Sequence, residues 1–298
     1  MGNLKLLDDQ LVAKVKGIQL RAKHLVNSSF AGEYLSAFKG EGIEFEEVRE
    51  YQAGDDVRTI DWNVTARAGK PYIKTYRDER ELTVIFLVDV SASGHFGSGE
   101  KFKQEVAAEI TALLAYTALR NNDKVGLIIF SDHVEHYIPP KKGRGHVWRL
   151  IRDILSYQSN SRKTDLALPL DYLNRVVKRK AITFMISDFQ GDAISDQMRV
   201  SCKRHDLIAI SVADPREKTL PSVGYLELED AESGEVVMVN TNSKGFLSRF
   251  FKMNKKRDRT LAHEFRKLGV DYIEVTTDDS YLEPILKFFH QREQRIRR

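Results

Sequence analysis

Seven consecutive residues, Thr83-Val84-Ile85-Phe86-Leu87-Val88-Asp89, are apolar and rich in β-branching until they end in a carboxylate. An uninterrupted apolar run of this length suits a strand buried on both faces, as in a parallel sheet covered by helices on each side. The chain then passes through Asp89-Val90-Ser91-Ala92-Ser93-Gly94, an acid and two hydroxyls on alternate residues, before a helical pattern opens near Lys101. Open α/β sheets bind ligands at the carboxyl ends of their strands, and this polar turn falls there. Its oxygens are hard donors of the kind Mg²⁺ takes, about six of them at ~2.0–2.1 Å with several waters retained. Taken alone, the same Asp-x-Ser-x-Ser pattern is also a helix-capping turn, since Ser and Asp are common caps.

Two further loops decide between those readings. Thr164-Asp165-Leu166 opens another helical pattern, and Ser187-Asp188-Phe189 ends a second apolar strand, Ile182–Ser187. Asp-x-Ser-x-Ser followed by a threonine and then an aspartate from later loops resembles the metal-ion-dependent adhesion site (MIDAS) of von Willebrand factor A-type domains. The resemblance implies a Mg²⁺ or Mn²⁺ site. Ser91, Ser93 and Thr164 would supply hydroxyl oxygens, and Asp89 and Asp188 would hold the ion's waters or ligate it directly.

Composition narrows the class. Among 298 residues, 42% are hydrophobic and 9% aromatic, enough for a sizeable core in one large α/β domain or two smaller units. The 47 basic and 43 acidic side chains leave a net charge of only +4, which argues against a nucleic-acid partner. Cys202 is the single cysteine, so no internal disulfide forms, as expected of a reducing compartment. No signal-like start and no apolar run near the ~20 residues of a transmembrane helix is found. The expectation is a cytoplasmic protein with no transmembrane segment.

Leu7, Leu11, Val15, Ile18 and Leu25 recur at helical spacing, so an amphipathic helix opens the chain, with Lys14, Lys16, Arg21 and Lys23 read as its solvated face. Residues 28–80 read as β-rich and irregular, with strands around Ile43–Val48 and Tyr72–Tyr76 and a turn at Gly54-Asp55-Asp56. The acids Asp55, Asp56 and Asp61 lie close in sequence to Arg58 and Arg67, and are read as structural ion pairs clamping this segment to the sheet. Glu47-Val48-Arg49-Glu50-Tyr51, Gly54-Asp55-Asp56, Arg58-x-Ile60-Asp61-Trp62 and Ala66-Arg67, followed by the Asp89 turn, resemble the bacterial domain-of-unknown-function-58 family. That resemblance runs from about Gly40 to the Asp188 strand. It implies a von Willebrand factor A-type domain and a MoxR-type AAA+ ATPase, or a client of it, as partner. Many members carry membrane-spanning helices ahead of the domain, a feature not seen in this sequence.

Beyond Lys101, strand and helix patterns alternate. Phe102, Val106, Ile110, Leu113, Leu114 and Thr117 line a helix face; residues 125–130 and 134–138 read as strands. Lys141-Lys142-Gly143-Arg144-Gly145-His146 lacks the phosphate-loop pattern and is expected as a basic turn at the mouth of the site. Further helices follow around Val147–Leu155 and Leu166–Val177, then a third buried strand over residues 207–212. Residues 221–242 alternate as a hairpin. A helix from about Gly245 to Leu268 carries Arg249, Lys252, Lys255, Lys256, Arg257 and Arg259, with Phe246, Phe250 and Phe251 spaced as a buried face. A last strand, residues 271–276, and a last helix from about Tyr281 complete the pattern.

The expected architecture is therefore α/β: a doubly wound, mostly parallel sheet over residues 81–298 with a hairpin insertion near 221–242. An N-terminal helix and β-rich segment, residues 1–80, pack beside it. The functional expectation is a non-enzymatic interaction module that binds an acidic residue of a protein partner through the metal. The alternative is a metal-dependent hydrolase or phosphotransferase using the same strand-end aspartates. Phosphatases of the haloacid-dehalogenase type place a second acid two residues after the first. Here Ser91 stands at that place, which cannot serve as acid–base at neutral pH. His95 is the nearest histidine and is read as an ordinary surface residue.

Overall fold

Strand β3 (Thr83–Asp89) lies inside the sheet because its side chains have apolar cover on both sides. In the computed structural model, which describes residues 2–26, 30–38, 43–78, 81–159, 161–190, 196–231 and 233–296, Val84, Phe86 and Val88 join one core cluster, and Ile85 and Leu87 join another on the opposite face. That alternation is the period of a strand. Burying each such side chain contributes about 1.5–3 kcal/mol, and Phe86→Ala in this setting costs roughly 3–5 kcal/mol.

The elements in chain order begin with α1 (Gly2–Leu25), α2 (Ala31–Ala37), β1 (Ile43–Glu50), α3 (Trp62–Ala68), β2 (Tyr72–Asp78) and β3. They continue as α4 (Lys103–Arg120), β4 (Lys124–Phe130), β5 (Val134–Lys141), α5 (Arg144–Ser156), α6 (Ala167–Val176), β6 (Ile182–Ser187), α7 (Asp196–Arg204) and β7 (Asp206–Ala213). The last are α8 (Pro215–Lys218), β8 (Tyr225–Glu229), β9 (Val236–Asn240), α9 (Lys244–Leu268), β10 (Asp271–Thr276) and α10 (Leu282–Ile296). The central six-stranded sheet has the order β10-β7-β6-β3-β4-β5, parallel except for β5. From β3 the chain goes first to β4 and β5 on one side, then returns to β6, β7 and β10 on the other. The crevice between the ends of β3 and β6 is thus the topological switch point, where such sheets bind ligands.

The N-terminal helix does more than pack alongside. Val15, Ile18, Ala22 and Val26 are buried, and α1 lies across α4 and α5. This explains why α4 is buried around nearly its whole circumference rather than along the single stripe its spacing suggests. Three of the four cations read as solvated also bind inward. Lys14 pairs with Glu105, Arg21 with the buried Glu109 at 2.6 Å, and Lys23 lies over the Tyr116 ring at 5.8 Å. The helix α2, absent from the sequence reading, buries Tyr34 and Ala37 and packs against α10.

The β-rich segment is a two-stranded antiparallel sheet of β1 and β2 with α3 between them. Its clamp is wired differently from the expectation. Asp55 forms a two-point pair with Arg49 (2.7 and 2.9 Å), not with Arg58. Asp61 caps α3 by accepting from Asn63 N–H (2.9 Å) and Val64 N–H (3.2 Å), and its ion-pair partner is Lys74 at 3.3 Å. The Arg58 and Arg67 side chains form no ion pair among the described residues. The basic turn also departs from its expected place. Lys141 is opposite Val125, at the start of β4, whereas Asp89 is opposite Phe130 at its end. The turn therefore lies at the edge of the sheet away from the Asp89 loop. There Lys142 pairs with Glu81, and His146 Nε2 meets Val125 O at 2.8 Å.

Candidate functional site

At the end of β3 the strand hands its last side chain, Asp89, to a fold-back turn. Asp89 Oδ1 accepts the Ser91 N–H at 2.9 Å, and Oδ2 accepts the Ser187 hydroxyl at 2.7 Å from the end of β6. The two neighbouring strand ends are thereby cross-tied. The turn continues as a short 3-10 segment, Ala92–His95, which brings Ser91 Oγ and Ser93 Oγ to 3.0 Å from each other. All three side chains are buried: Asp89 is 8% exposed, Ser91 1% and Ser93 7%.

Asp188 comes from the next loop. Directly after it the backbone of Phe189 is left-handed, φ 51°, a conformation costly for a bulky residue and of order 1–3 kcal/mol. It is held because the Phe189 ring is buried at 5.2 Å from Phe265, and its N–H donates to Ser187 Oγ at 3.1 Å. Asp188 Oδ2 meets the Lys103 ammonium at 2.7 Å, and the same ammonium donates to Glu217 Oε1 at 2.6 Å. Lys103, at the start of α4, is almost wholly buried. Glu217 in turn accepts from Gln190 Nε2 (2.9 Å) and from the Asp214 N–H (2.8 Å), closing the capping box of α8.

Asp89, Ser93, Lys103, Ser187 and Asp188 line one cavity of about 20 Å³, room for a single water or small ion. The electrostatics lean toward the negative: Asp188 and Glu217 share the one Lys103 ammonium, and the Asp89 carboxyl lines the same cavity. Burial, with the Asp188 charge added, pushes the Asp89 carboxyl up to about 6, against the pull of its Ser187 and Ser91 hydrogen bonds. Burial lowers Lys103, but the Asp188 and Glu217 charges and hydrogen bonds outweigh it, so the ammonium stays above its ordinary value and charged.

Four of the five residues expected from the sequence, Asp89, Ser91, Ser93 and Asp188, are thus drawn together by the two strand ends. Thr164 is half-buried in the preceding loop, which crosses the end of β4 through the Asp165 N–H to Ser131 O bond of 3.0 Å. Neither Thr164 nor Ser91 is among the residues lining the cavity. It is Asp165, not Thr164, that bonds the start of α6, accepting from Ala167 N–H at 2.7 Å. Sequence reasoning missed Lys103 and Glu217. A lysine in the first turn of an otherwise apolar helix was the available signal for the first. Glu217 comes from α8, the short helix after β7, which no spacing rule connects to Asp89.

The donor set tests whether a cation fits. Among the described residues no three His, Cys, Asp or Glu side chains converge as a metal cluster. What lines the ion-sized cavity is the hydroxyls of Ser93 and Ser187 and the carboxylates of Asp89 and Asp188, with the Lys103 ammonium beside them. Asp89 and Asp188 retain acceptor capacity beyond the bonds described, since each carboxylate has about four lone-pair positions. This chemistry fits a hard divalent ion that keeps part of its water shell. It does not suit a soft metal, which takes thiolate ligands.

Comparison with known proteins adds a family. The profile described as protein of unknown function DUF58 matches residues 47–260. An uncharacterised protein of Mycobacterium bovis and one of Mycobacterium tuberculosis are each 31% identical over 290 residues, spanning 96% of this chain and 91% of theirs. Among solved structures, a conserved hypothetical protein BatB from Bacteroides thetaiotaomicron is 17% identical with a TM-score of 0.45. An aerotolerance-related membrane protein from Bacteroides fragilis is 16% identical with a TM-score of 0.47. Both alignments cover 72% of this chain and 99% of the other. No described helix of the present chain is long and apolar enough to cross a membrane.

Proposed function

The chain belongs to the DUF58 family of proteins of unknown function, and from that premise we propose that it is a von Willebrand factor A-type binding module working through a divalent cation. Mg²⁺ or Mn²⁺ would be held by Ser91 and Ser93 with Asp89 and Asp188, and by Thr164 from the adjoining loop. When bound, the ion would offer a Lewis-acidic position to a carboxylate of a protein partner. The observation that carries the reading is the meeting of Asp89, Ser93 and Asp188 at one ion-sized cavity in the switch-point crevice. Such a crevice is where α/β sheets bind ligands, whatever the ligand. Negative charge in excess of the Lys103 ammonium supports a cation there. The partner proposed is a MoxR-type AAA+ ATPase or its client, on the strength of the sequence resemblance alone.

The test has two stages. Divalent ions should raise the melting temperature of the wild type and be without effect in EDTA. A ligand bound by the folded state alone stabilises it by ~2.7 kcal/mol at a hundredfold excess over Kd. Replacing Ser91 and Ser93 by Ala removes two donors without filling the cavity, and should abolish the metal-dependent shift. A wild type indifferent to millimolar Mg²⁺ and Mn²⁺ defeats the metal site. A metal-binding wild type that captures the ATPase equally well in EDTA defeats the bridge but keeps the site.

A further inference from the structure

The segment from β8 to the middle of α9 is not used by the site, and its surface is unusual in two ways. The first is the hairpin. Among the described residues β8 and β9 pair only with each other, which leaves both outer edges without a strand partner there, and an isolated two-stranded sheet is marginal by itself. The register places Tyr225, Glu227 and Glu229 of β8 on one face with Val236 and Met238 of β9. That face is open: Tyr225 is 73% exposed, Met238 63% and Val236 57%. It is apolar and acidic, and its single ion pair among the described residues is the exposed one between Glu229 and Arg162 at 3.3 Å.

The second is the helix. Lys252, Lys256, Arg259 and His263 follow one another at i, i+4, i+7 and i+11, which aligns them along one side of α9. With Lys255 and Thr260 they line a shallow basin of about 390 Å³ that contains no acid. Among the described residues Arg249, Lys252, Lys255, Lys256 and Arg259 have no ion-pair partner; Asp258 faces Lys218 at 4.0 Å and Arg257 at 3.8 Å. Two apolar side chains border the stripe, Phe251 beneath the Lys255 ammonium at 5.5 Å and the exposed Met253. The phenylalanines here are therefore not a buried face: Phe246 and Phe250 are half-buried, and Phe251 is exposed.

These two surfaces match each other. The cationic stripe from Lys252 to His263 spans about 16 Å at ~1.5 Å per residue. The strand Tyr225–Glu229 spans about 14 Å at ~3.4 Å per residue. One is basic with apolar borders, the other acidic with apolar borders, and a single chain displays both. A nucleic acid or an anionic lipid surface would satisfy the helix and leave the acidic hairpin face without a partner. Two copies of a chain that displays both patches satisfy both at once, in a two-fold pair in which residue i meets j and j meets i. We infer that two copies of this chain associate through the β8–β9 strands and α9, the acidic hairpin face of one laid against the basic helix face of the other. This surface is separate from the Asp89 cavity, and its pairing needs no metal.

The experiment uses the full chain in EDTA, with mass measured by sedimentation velocity from about 1 to 100 µM, at low and high ionic strength. The wild type should shift from monomer to dimer with concentration, and salt should weaken the dimer. Lys252→Glu with Lys256→Glu should be monomeric throughout. Glu227→Lys with Glu229→Lys should be monomeric too. An equimolar mixture of the two variants should restore a dimer of one copy of each, because both helix–hairpin contacts are then of opposite charge. The restored pairing also shows that both variants are folded. A wild type that stays monomeric over the whole range overturns the inference. So does a dimer untouched by either charge reversal, or a mixture that stays monomeric.

Discussion

Replacing Lys103 by Met isolates the charge that balances the site while keeping most of the side-chain volume. In the wild type one ammonium, buried to 4% exposure, serves Asp188 at 2.7 Å and Glu217 at 2.6 Å. Removing one partner of a buried pair costs about 3–5 kcal/mol, because the other charge is left without compensation. Here, among the described residues, Asp188 keeps only the Gln190 N–H at 3.2 Å, a long contact, whereas Glu217 keeps Gln190 Nε2 and the Asp214 N–H. The loss therefore falls mainly on Asp188 and should lie within that range. At ~2.1 cal/mol/K of unfolding entropy per residue, a chain of this length loses roughly 5–8 °C in Tm. The assay is urea unfolding in EDTA with a shared m-value, checked by calorimetry. Divalent ions should then stabilise Lys103→Met more than wild type, since a cation can replace the missing ammonium. A variant within about 1 kcal/mol of wild type in EDTA would refute the argument, because a truly buried pair cannot be broken so cheaply.

Three other outcomes follow from buried groups and one glycine. Burial pushes the Asp123 carboxyl up to about 6, above its unfolded value, so its stabilising contribution is complete below about pH 4 and is lost as pH rises through about 6; Asp123→Asn, whose oxygen still accepts the Leu82 N–H (2.9 Å) and whose NH2 donates to the Tyr34 Oη (3.1 Å), should flatten that part of the urea-stability profile by about 1–3 kcal/mol. His205 is shifted the other way, its imidazolium disfavoured by burial and by Arg204 down to about 4, with neither ring nitrogen hydrogen-bonded among the described residues. Stability should fall as pH drops from about 6.5 to 4, by up to roughly 3 kcal/mol, and His205→Leu should remove that dependence; an unchanged acid limb would rule it out. At Gly97 an added Cβ would lie 2.5 Å from Lys101 O and 2.9 Å from Phe102 Cα, so Gly97→Ala must shift the loop that positions Lys103. It should cost at least about 1 kcal/mol and reduce any divalent-ion shift, read by the same thermal assay.

The strands and the turn of the site were legible in the sequence because their signals are local. Thr83–Asp89 and Ile182–Ser187 are apolar without interruption, a pattern that needs two covered faces, and each ends in the polar residues that the strand end must present. The order Asp89, Ser91, Ser93, then Asp188 also follows from the chain alone, since a hydroxyl two residues from a carboxylate has few ways to turn. Tertiary structure decided what no local window contains. The sheet order β10-β7-β6-β3-β4-β5 brings the ends of β3 and β6 side by side, so that Ser187 can donate to Asp89 across 98 residues of sequence. It sends the basic turn at Lys141 to the opposite edge, because β5 runs antiparallel to β4. It also pairs the cations of α1 with Glu105 and Glu109, where helical spacing alone had suggested solvent. Lys103 is the clearest case. By composition it is one cation among 47. Only the packing of α4 beneath the loops after β6 and β7 removes it from water and binds it to Asp188 and Glu217, since charge partners are chosen by proximity in space and not along the chain.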